Sequence, residues 1–300
     1  MAGPRQVVDG PTFTPLPYGL WDAVQQPPAN GPHWQNGITW EDRCPTGDTL
    51  YDECIAVTGT GGSPTAQAAM TSNVTQTNRG ATAFTVYAEF DCSPVGLLDA
   101  EVLAEQALQR VESWQLERAF WTGTAGKSGS TAQTTAWPHL AANATLDDAS
   151  GIRLQSAASI VATGSGDDVA SMLGQLEAAL DDCYHGQGII HIPREAAPTF
   201  QAWELIEDRN GALYTTSGHR VVIGSGYTAS SPAGAAPAAG TAWVYATGAV
   251  FGYRSGIMVP STAESFDRTE NTYHLTAQRT YLLGWECCHL AALFPVGVPT

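Results

Sequence analysis

One stretch of the chain, residues 97–121, carries an uninterrupted helical pattern, and this stretch constrains the fold more than any other. Its apolar residues recur at helical spacing and predict a buried stripe of Leu97, Ala100, Leu103, Ala104, Ala107, Leu108, Val111 and Trp114. The acidic residues expected to face away from it are Glu101, Glu105, Glu112 and Glu117. Ser93 and Pro94 indicate a start, and Gly123 indicates a stop. A helix of about 25 residues is about 37 Å long, so we expect it to be a spine against which the other elements pack.

The composition is poor in charge and rich in aromatic residues. Charged residues make up 14% of the 300 residues, against about 25% in a typical globular protein. Nine Trp, ten Tyr and eight Phe accompany them. Depletion of charge and surplus of aromatic rings are typical of the cores of protein interfaces. We therefore expect much of the surface to contact neighbouring subunits, although a neutral, loop-rich secreted enzyme would have a similar composition.

The net charge of −16 argues against several classes of function. Lys127 is the single lysine and no Lys/Arg cluster occurs, which disfavours direct binding of nucleic acid. No apolar run is long enough for a membrane span, and the first residues lack the apolar stretch of a signal peptide, so cytosolic synthesis is expected. Six cysteines in such a chain are expected to be buried free thiols. A Cys44–Cys54 disulfide stays open as an alternative under oxidising conditions.

The first 43 residues combine seven prolines with Trp21, Trp34 and Trp40, which excludes a long helix or a central strand. Three tryptophans have no use in a solvated tail. The segment is therefore predicted to be an extended arm that packs either across its own domain or on a neighbouring subunit, and we favour the neighbour.

A nearly uncharged stretch follows the arm. Residues 59–81 hold only small or polar side chains apart from Met70, Val74 and Arg79. Flanking strand patterns at 51–58 and 82–90 predict a long two-stranded arm, and a mobile surface loop is the alternative. Because such a stretch adds little to a core, we expect a subunit lacking residues 61–78 to fold with a near-normal melting temperature. If the stretch is an inter-subunit arm, only a neighbour would satisfy Arg79 and the backbone edges of the arm, and the shortened subunit should form no closed shells.

The second half of the chain mixes helices and strands. A helix is predicted at 169–183, with Asp168 in its first turn and Gly186 after its end, followed by a buried strand at 188–193. A shorter helix around 198–207 and strands near 219–223, 242–247 and 250–259 complete an α/β subdomain. The pattern at 272–293 predicts one long final strand. Overall the fold class is α+β.

Sequence motifs that would indicate catalysis or cofactor binding do not have the required spacing in this chain. Gly123-Thr-Ala-Gly126-Lys127-Ser128 has two residues between its glycines where a phosphate-binding loop needs four, and it follows a helix. The histidines and cysteines lack metal-ligand spacing. We therefore predict no catalytic residue, no metal site and no cofactor.

The order of the parts, and several local strings, resemble the major capsid proteins of tailed bacteriophages with the Hong-Kong-97-type fold, in their actinobacterial-phage branch. The strings are LLDAEVLAEQALQRVESWQLERAFWTG at 97–123, LEAALDDCYHGQGIIHIPREAA at 176–197, TAWVYATGAVFGYRS at 241–255 and AQRTYLLGWECC at 277–288.

The resemblance implies a division into five parts. They are an N-terminal arm (1–43), an extended loop that overlaps the adjacent subunit (44–92), the spine helix and connection of a peripheral domain (93–149), an axial domain (150–260), and a C-terminal peripheral strand with tail (261–300). It also implies a function, the assembly of hexamers and pentamers into an icosahedral shell around double-stranded DNA. Scaffolding, portal and decoration proteins are the expected partners, and the shell is expected in virions assembled in the bacterial cytoplasm.

The residues expected at inter-subunit contacts are Trp21, Trp34, Trp40, Met70, Arg79 and Phe84. Some capsid proteins of this kind join neighbours through a Lys–Asn bond from the extended loop, but that loop has no lysine here, so we expect non-covalent shells.

Two alternative functions stay open. One is an encapsulin-like cellular nanocompartment, in which an enzyme cargo would replace DNA. The other is a secreted hydrolase, which fits less well.

Overall fold

The computed structural model describes residues 13–28, 31–45, 74–92, 99–123, 137–163, 168–260 and 266–297. Met70, Cys54, Lys127 and the predicted strand at 51–58 lie outside these ranges. Within them, no helix is both long and apolar enough to cross a membrane.

The helices are α1 (Leu20–Ala23), α2 (Ala100–Thr122), α3 (Val169–Tyr184) and α4 (Ala197–Ala202), with a 3-10 helix at Gly31–Asn36. In chain order the strands are β1 (Ile38–Pro45), β2 (Val74–Ala81), β3 (Phe84–Cys92), β4 (Leu146–Asp147), β5 (Arg153–Gln155), β6 (Ser159–Thr163), β7 (Ile189–Pro193), β8 (Ile206–Arg209), β9 (Ala212–Thr215), β10 (Arg220–Gly224), β11 (Thr241–Thr247), β12 (Val250–Arg254), β13 (Phe266–Asp267), β14 (Thr272–Trp285) and β15 (His289–Pro295).

The strands of the described residues form three sheets. A small sheet has the order β1-β2-β5-β4, and a seven-stranded sheet has the order β6-β15-β11-β7-β10-β9-β8. The third sheet has the order β12-β14-β13, and β3 also pairs with β14. The centre of the seven-stranded sheet, β7 and β11, is buried on both faces, and successive side chains of these strands point to opposite sides. Ile190 and Val244 join the core on the α3 side, whereas Ile189 and Tyr245 join the core that contains α2.

The predicted spine helix is confirmed as α2, and Gly123 ends it. Gly123 adopts a left-handed conformation with φ 68°, and its N–H donates to the Ala119 carbonyl at 2.9 Å. A Cβ atom at this position would lie 2.6 Å from Nδ1 of His139, so both conformation and space require glycine.

The predicted buried stripe of α2 is only partly right. Ala100, Ala104 and Leu108 are buried, but Trp114 is 45% exposed, with Arg118 stacked 5.1 Å from its ring centre. In the last two turns, every residue from Leu116 to Trp121 is buried except the exposed Arg118, and the buried residues include Glu117, which was expected to face solvent. The helix therefore has one buried face at its beginning and is largely enclosed by the core at its end.

The Glu117 carboxylate is buried because two distant segments supply its hydrogen-bond donors. The backbone N–H of Leu20 donates to Oε1 at 3.1 Å, while the N–H of Gly226 and the hydroxyl of Ser225 donate to Oε2 at 3.0 and 2.9 Å. A Cβ atom at Gly226 would lie 2.1 Å from the Trp114 carbonyl oxygen. Glycine therefore allows the 225–226 loop to reach the helix.

The α/β part follows the sequence prediction with small shifts. Asp168 caps α3 by accepting from the Ser171 N–H at 2.6 Å, but the left-handed residue at its end is His185, not Gly186. The helix expected at 198–207 ends at Ala202, and Glu207 belongs to β8. The strands at 188–193, 219–223, 242–247 and 250–259 correspond to β7, β10, β11 and β12.

One strand prediction is wrong, and another is confirmed only in part. The strand at 82–90 exists as β3 and pairs with β14, while its predicted partner at 51–58 lies outside the described residues. β1 and β2 pair antiparallel along their whole length. The single strand expected at 272–293 is two strands, because the chain leaves the sheet of β3 at Glu286 and enters the seven-stranded sheet at His289. Cys287, in a left-handed conformation with φ 51°, forms this turn.

A buried histidine lies in β7 on the side that faces α2. Its ring nitrogens contact Tyr227 Oη at 3.1 Å and Thr247 Oγ1 at 3.0 Å, and Thr247 donates onward to the Gly248 carbonyl. These partners fit a neutral His191 that donates from Nε2 and accepts at Nδ1. Complete burial lowers the pKa of His191 to about 3.

We expect Gly226→Ala to lower the free energy of unfolding by about 2 kcal/mol or more, because its methyl group would collide with the backbone of α2. Urea unfolding measures this loss. Gly256→Ala is the matched control, since a Cβ atom there meets nothing within 4 Å. Equal stabilities of the two variants would contradict the close packing of the loop on the helix.

Stability should fall as the pH drops below about 6.5, because the unfolded chain then protonates His191 while the folded chain does not until about pH 3. The loss is about 1.4 kcal/mol per pH unit for this residue. Urea unfolding from pH 7 to pH 4.5 should show a weaker dependence in His191→Gln. The control is His274→Gln, since the pKa of the exposed His274 is raised by its hydrogen bond to Asp91 and contributes with the opposite sign. An unchanged profile in His191→Gln would contradict the assignment.

Candidate functional site: the strand-pair base

The strand pair formed by β1 and β2 is the part of the fold from which residues 46–73 extend. Its register runs from Ile38 opposite Ala81 to Pro45 opposite Val74. We call the group Asp42, Cys44, Arg79 and Cys287 the strand-pair base, because it joins these two strands to the turn between β14 and β15. It is the candidate functional site, because it anchors the two strands that flank residues 46–73.

Asp42 and Arg79 form a buried ion pair across the two strands. Trp40 lies opposite Arg79 and Asp42 lies two residues farther along β1, so both side chains project from the same face. Asp42 is 1% exposed, and it also accepts from Trp40 Nε1 at 2.9 Å and from the Cys287 N–H at 3.1 Å. Burial raises the pKa of Asp42, and the charge of Arg79 opposes that shift. The carboxylate therefore depends on these donors.

Arg79 has its partners inside its own subunit, which corrects the expectation that only a neighbour could supply them. Besides the ion pair, Nη2 donates to the Cys287 carbonyl at 2.9 Å and Nη1 donates to Ser156 Oγ at 3.1 Å. The guanidinium thus holds together β2, the segment around Ser156 and the turn after β14.

Two disulfides converge on the same turn. Cys44 is bonded to Cys287 and Cys183 is bonded to Cys288, with Cα–Cα distances of 5.4 and 5.9 Å. The expectation of free thiols is wrong for these four residues, and Cys44 has Cys287 rather than Cys54 as its partner.

The cysteines and Asp42 also have to be considered as a metal site. Asp42, Cys44 and Cys287 offer ligand atoms within 4.8 Å of one another. However, both sulfurs are joined in a disulfide, and the Asp42 carboxylate faces the cationic Arg79. A bound cation would compete with Arg79 for the same oxygens, so the residues do not fit a metal.

The tryptophans of the arm pack on their own subunit. Trp21 contacts Tyr281 edge-on at 5.3 Å, Trp34 stacks on Tyr253 at 5.7 Å, and Trp40 contacts Phe251 at 5.0 Å between ring centres. Of the two locations that the sequence left open, these rings occupy the domain of their own chain.

Phe84 is likewise buried in the core, 4.9 Å from Trp137 between ring centres. Contacts of these residues with a neighbouring subunit stay a prediction.

Sequence reasoning missed the exposed apolar residues of the folded chain, which include Leu16, Val102, Trp114, Ile160 and Met258. Trp114 falls in the predicted buried stripe of α2, so helical periodicity predicted burial for a side chain that is exposed.

Replacing Arg79 by Met should lower the free energy of unfolding by about 3 kcal/mol or more, because Asp42 would stay buried without its counter-charge. The measurement is urea unfolding at pH 7. Arg209→Met is the control, since Arg209 pairs with Glu207 at a site where both side chains are about half exposed. A loss for Arg79→Met as small as that for the control would show that the pair contributes little.

Neither a protein-family profile nor a curated protein sequence matches the chain. Solved structures do match it along almost its whole length. The capsid of a native GTA particle, in a structure computed with C5 symmetry, superposes with a TM-score of 0.56 at 12% identity, covering 99% of this chain and 95% of that chain. A chain of Gordonia phage Cozz superposes with a TM-score of 0.55 at 10% identity, covering 99% of this chain and 92% of that chain.

A chain of Microbacterium phage Oxtober96 gives a TM-score of 0.50 at 13% identity, covering 97% of this chain and 95% of that chain. At such low identity the likeness is one of fold. The chain therefore has the mixed α+β fold of the GTA capsid chain and of these phage chains, which confirms the capsid fold predicted from its sequence.

Proposed function

We propose that this chain is the major capsid protein of a tailed bacteriophage, which assembles into the hexamers and pentamers of an icosahedral shell around double-stranded DNA. The observation that carries the proposal is the fold shared with the GTA capsid chain over 99% of this chain. Because nearly all of each chain takes part in the superposition, the likeness covers the whole subunit rather than one common domain.

The charge and composition support a shell wall. With a net charge of −16 and one lysine, the chain has no basic cluster that could grip the phosphates of packaged DNA. Large exposed apolar side chains such as Trp114 and Met258 are available for contacts between subunits. The proposed role is structural rather than enzymatic.

The five-part layout implied by the resemblance becomes part of the proposal, with two adjustments. β1 (Ile38–Pro45) runs across the boundary between the arm (1–43) and the extended loop (44–92), so the loop begins from a strand of the arm. β15 belongs to the seven-stranded sheet, so the last strand of the chain adds to the axial domain rather than to the peripheral one. α2 and β14 remain together in the peripheral domain, since Glu112 of α2 accepts from Arg279 at 2.7 Å.

The proposed partners are other copies of this chain, together with scaffolding, portal and decoration proteins. Trp21, Trp34, Trp40, Met70, Arg79 and Phe84 stay proposed as residues at or near inter-subunit contacts. The proposed location is the virion capsid, after assembly in the cytoplasm of a bacterial host.

The extended loop gives the sharpest test. Deleting residues 61–78, as the sequence alone suggested, would remove more than half of β2, which runs from Val74 to Ala81. Pro45 and Val74 face each other in the register, so a two-residue Asn-Gly turn can replace residues 46–73 and keep both strands. The deletion variant should fold with a melting temperature within a few degrees of the full chain, and it should form no closed shells.

Negative-stain microscopy and analytical ultracentrifugation, each with and without scaffolding protein, measure assembly of the variant. A variant of full length in which residues 46–73 are replaced by a Gly/Ser sequence is the control that separates length from sequence. Closed shells of normal size from the deletion variant would contradict the role of the loop. A full-length chain that stays monomeric under every condition would contradict the capsid function itself.

A further inference from the structure

The turn between β14 and β15 holds two other parts of the chain through adjacent cysteines. Cys287 is bonded to Cys44 near the end of β1, and Cys288 is bonded to Cys183 near the end of α3. The sequence separations are 243 and 105 residues. One turn of the chain is therefore the common anchor of the strand pair, of the helix and of the two sheets that it connects.

Non-covalent contacts place this turn without help from the sulfur atoms. Asp42 accepts from the Cys287 N–H, and Arg79 donates to the Cys287 carbonyl. Beside them, the hydroxyl of Tyr184 donates to Glu286 Oε2 at 2.8 Å. These bonds fix the backbone on both sides of Cys287, so a reduced chain brings the thiols of Cys44 and Cys287 together by folding alone.

The two disulfides differ in their access to solvent. Cys44 and Cys287 are both partly exposed, and so is Cys183, whereas Cys288 is 1% exposed and is enclosed by the core around α3. Thiol–disulfide exchange requires a thiolate to reach a sulfur atom, so a disulfide with two accessible cysteines exchanges faster than one with a single accessible cysteine. The Cys44–Cys287 bond is therefore the more accessible of the two bonds on this turn.

We propose that Cys44–Cys287 is a reversible redox clasp on the strand-pair base, closed after the reduced chain has folded, and that Cys183–Cys288 is the persistent bond of the pair. Closure needs an oxidant such as a glutathione disulfide. One cysteine thiolate attacks that disulfide and releases a glutathione thiolate, and the second cysteine then displaces the other glutathione. The two thiols lose two protons and two electrons in total, and the oxidant becomes two reduced glutathione molecules.

The consequence for a shell rests on the proposed function. In a reducing cytoplasm the clasp is open, and the Asp42–Arg79 pair alone holds the strand pair to the turn. Once a particle meets oxidising conditions, the clasp fixes the base of the extended loop covalently to both sheets. Shells would assemble with a strand pair that is held only by non-covalent bonds and would become covalently fixed afterwards.

Peptide mapping tests the bonds on the unassembled full-length chain, so its result does not depend on capsid assembly. Trypsin cleaves after Arg43, Arg79, Arg153, Arg194 and Arg279, which separates the relevant cysteines into peptides 44–79, 154–194 and 280–300. The chain is reduced, oxidised with glutathione disulfide, alkylated and digested without reductant. We expect one species in which all three peptides are joined.

A titration with reduced glutathione then tests the order of the two bonds. Peptide 44–79 should be released at least several-fold faster than peptide 154–194. Equal release rates, or faster release of 154–194, would overturn the assignment of the clasp. A Cys44–Cys54 bond inside peptide 44–79 would overturn it too, as would one equivalent of zinc bound to the reduced chain and lost in Cys44→Ser.

Serine variants test the effect on stability. Oxidation should raise the melting temperature of the natural chain by roughly 5 °C, since it closes very long loops in the unfolded chain. Cys44→Ser should lose part of this gain and keep the remainder, and Cys183→Ser is its matched counterpart. Cys54→Ser should keep the full gain. The clasp would be contradicted if oxidised Cys44→Ser had the same melting temperature as the oxidised natural chain. If shells never form but the clasp behaves as described, only the proposed function fails.

Discussion

The fold depends on the buried carboxylate of Glu117. A buried carboxylate is very unfavourable unless hydrogen bonds replace its water, so its donors must be in place in the native chain. They come from Leu20 at the start of α1 and from the 225–226 loop after β10. One side chain therefore fixes the end of α2, the entry of the N-terminal segment and the loop that follows β10 of the seven-stranded sheet. Apolar packing around α2 could tolerate small shifts, whereas these bonds define one arrangement.

The strand-pair base contains a second buried carboxylate whose donors come from distant segments. Asp42 accepts from a side chain of its own strand, from Arg79 of the next strand and from the backbone of Cys287. In a chain with 14% charged residues, two of the few charges are spent on one buried pair. The exposed pair of Arg209 with Glu207 has no comparable effect, because water competes for both groups. A buried pair of charges therefore determines how the strand pair is held on the turn between β14 and β15.

Local patterns predicted the elements that depend on nearby residues. Apolar periodicity was sufficient for α2 and α3, and the apolar run at β7 correctly indicated a strand buried on both faces. The partner of β3 was not predictable in this way, because strand pairing with β14 joins residues nearly 200 positions apart and leaves no local pattern. The break at Glu286 was missed for a related reason. No glycine or proline marks it, and a distant Asp42 and Arg79 hold Cys287 in its left-handed conformation.

The candidate site was predictable only in part for the same physical reason. Arg79 stood out as the one charge in a polar stretch, which correctly indicated that it has a specific partner, but the partner lies in its own subunit. This placement determines how the strand pair is anchored. β1 and β2 are tied to a turn that is continuous with both β14 and β15. Because those strands belong to different sheets, a load on the strand pair would reach both sheets rather than the edge of one.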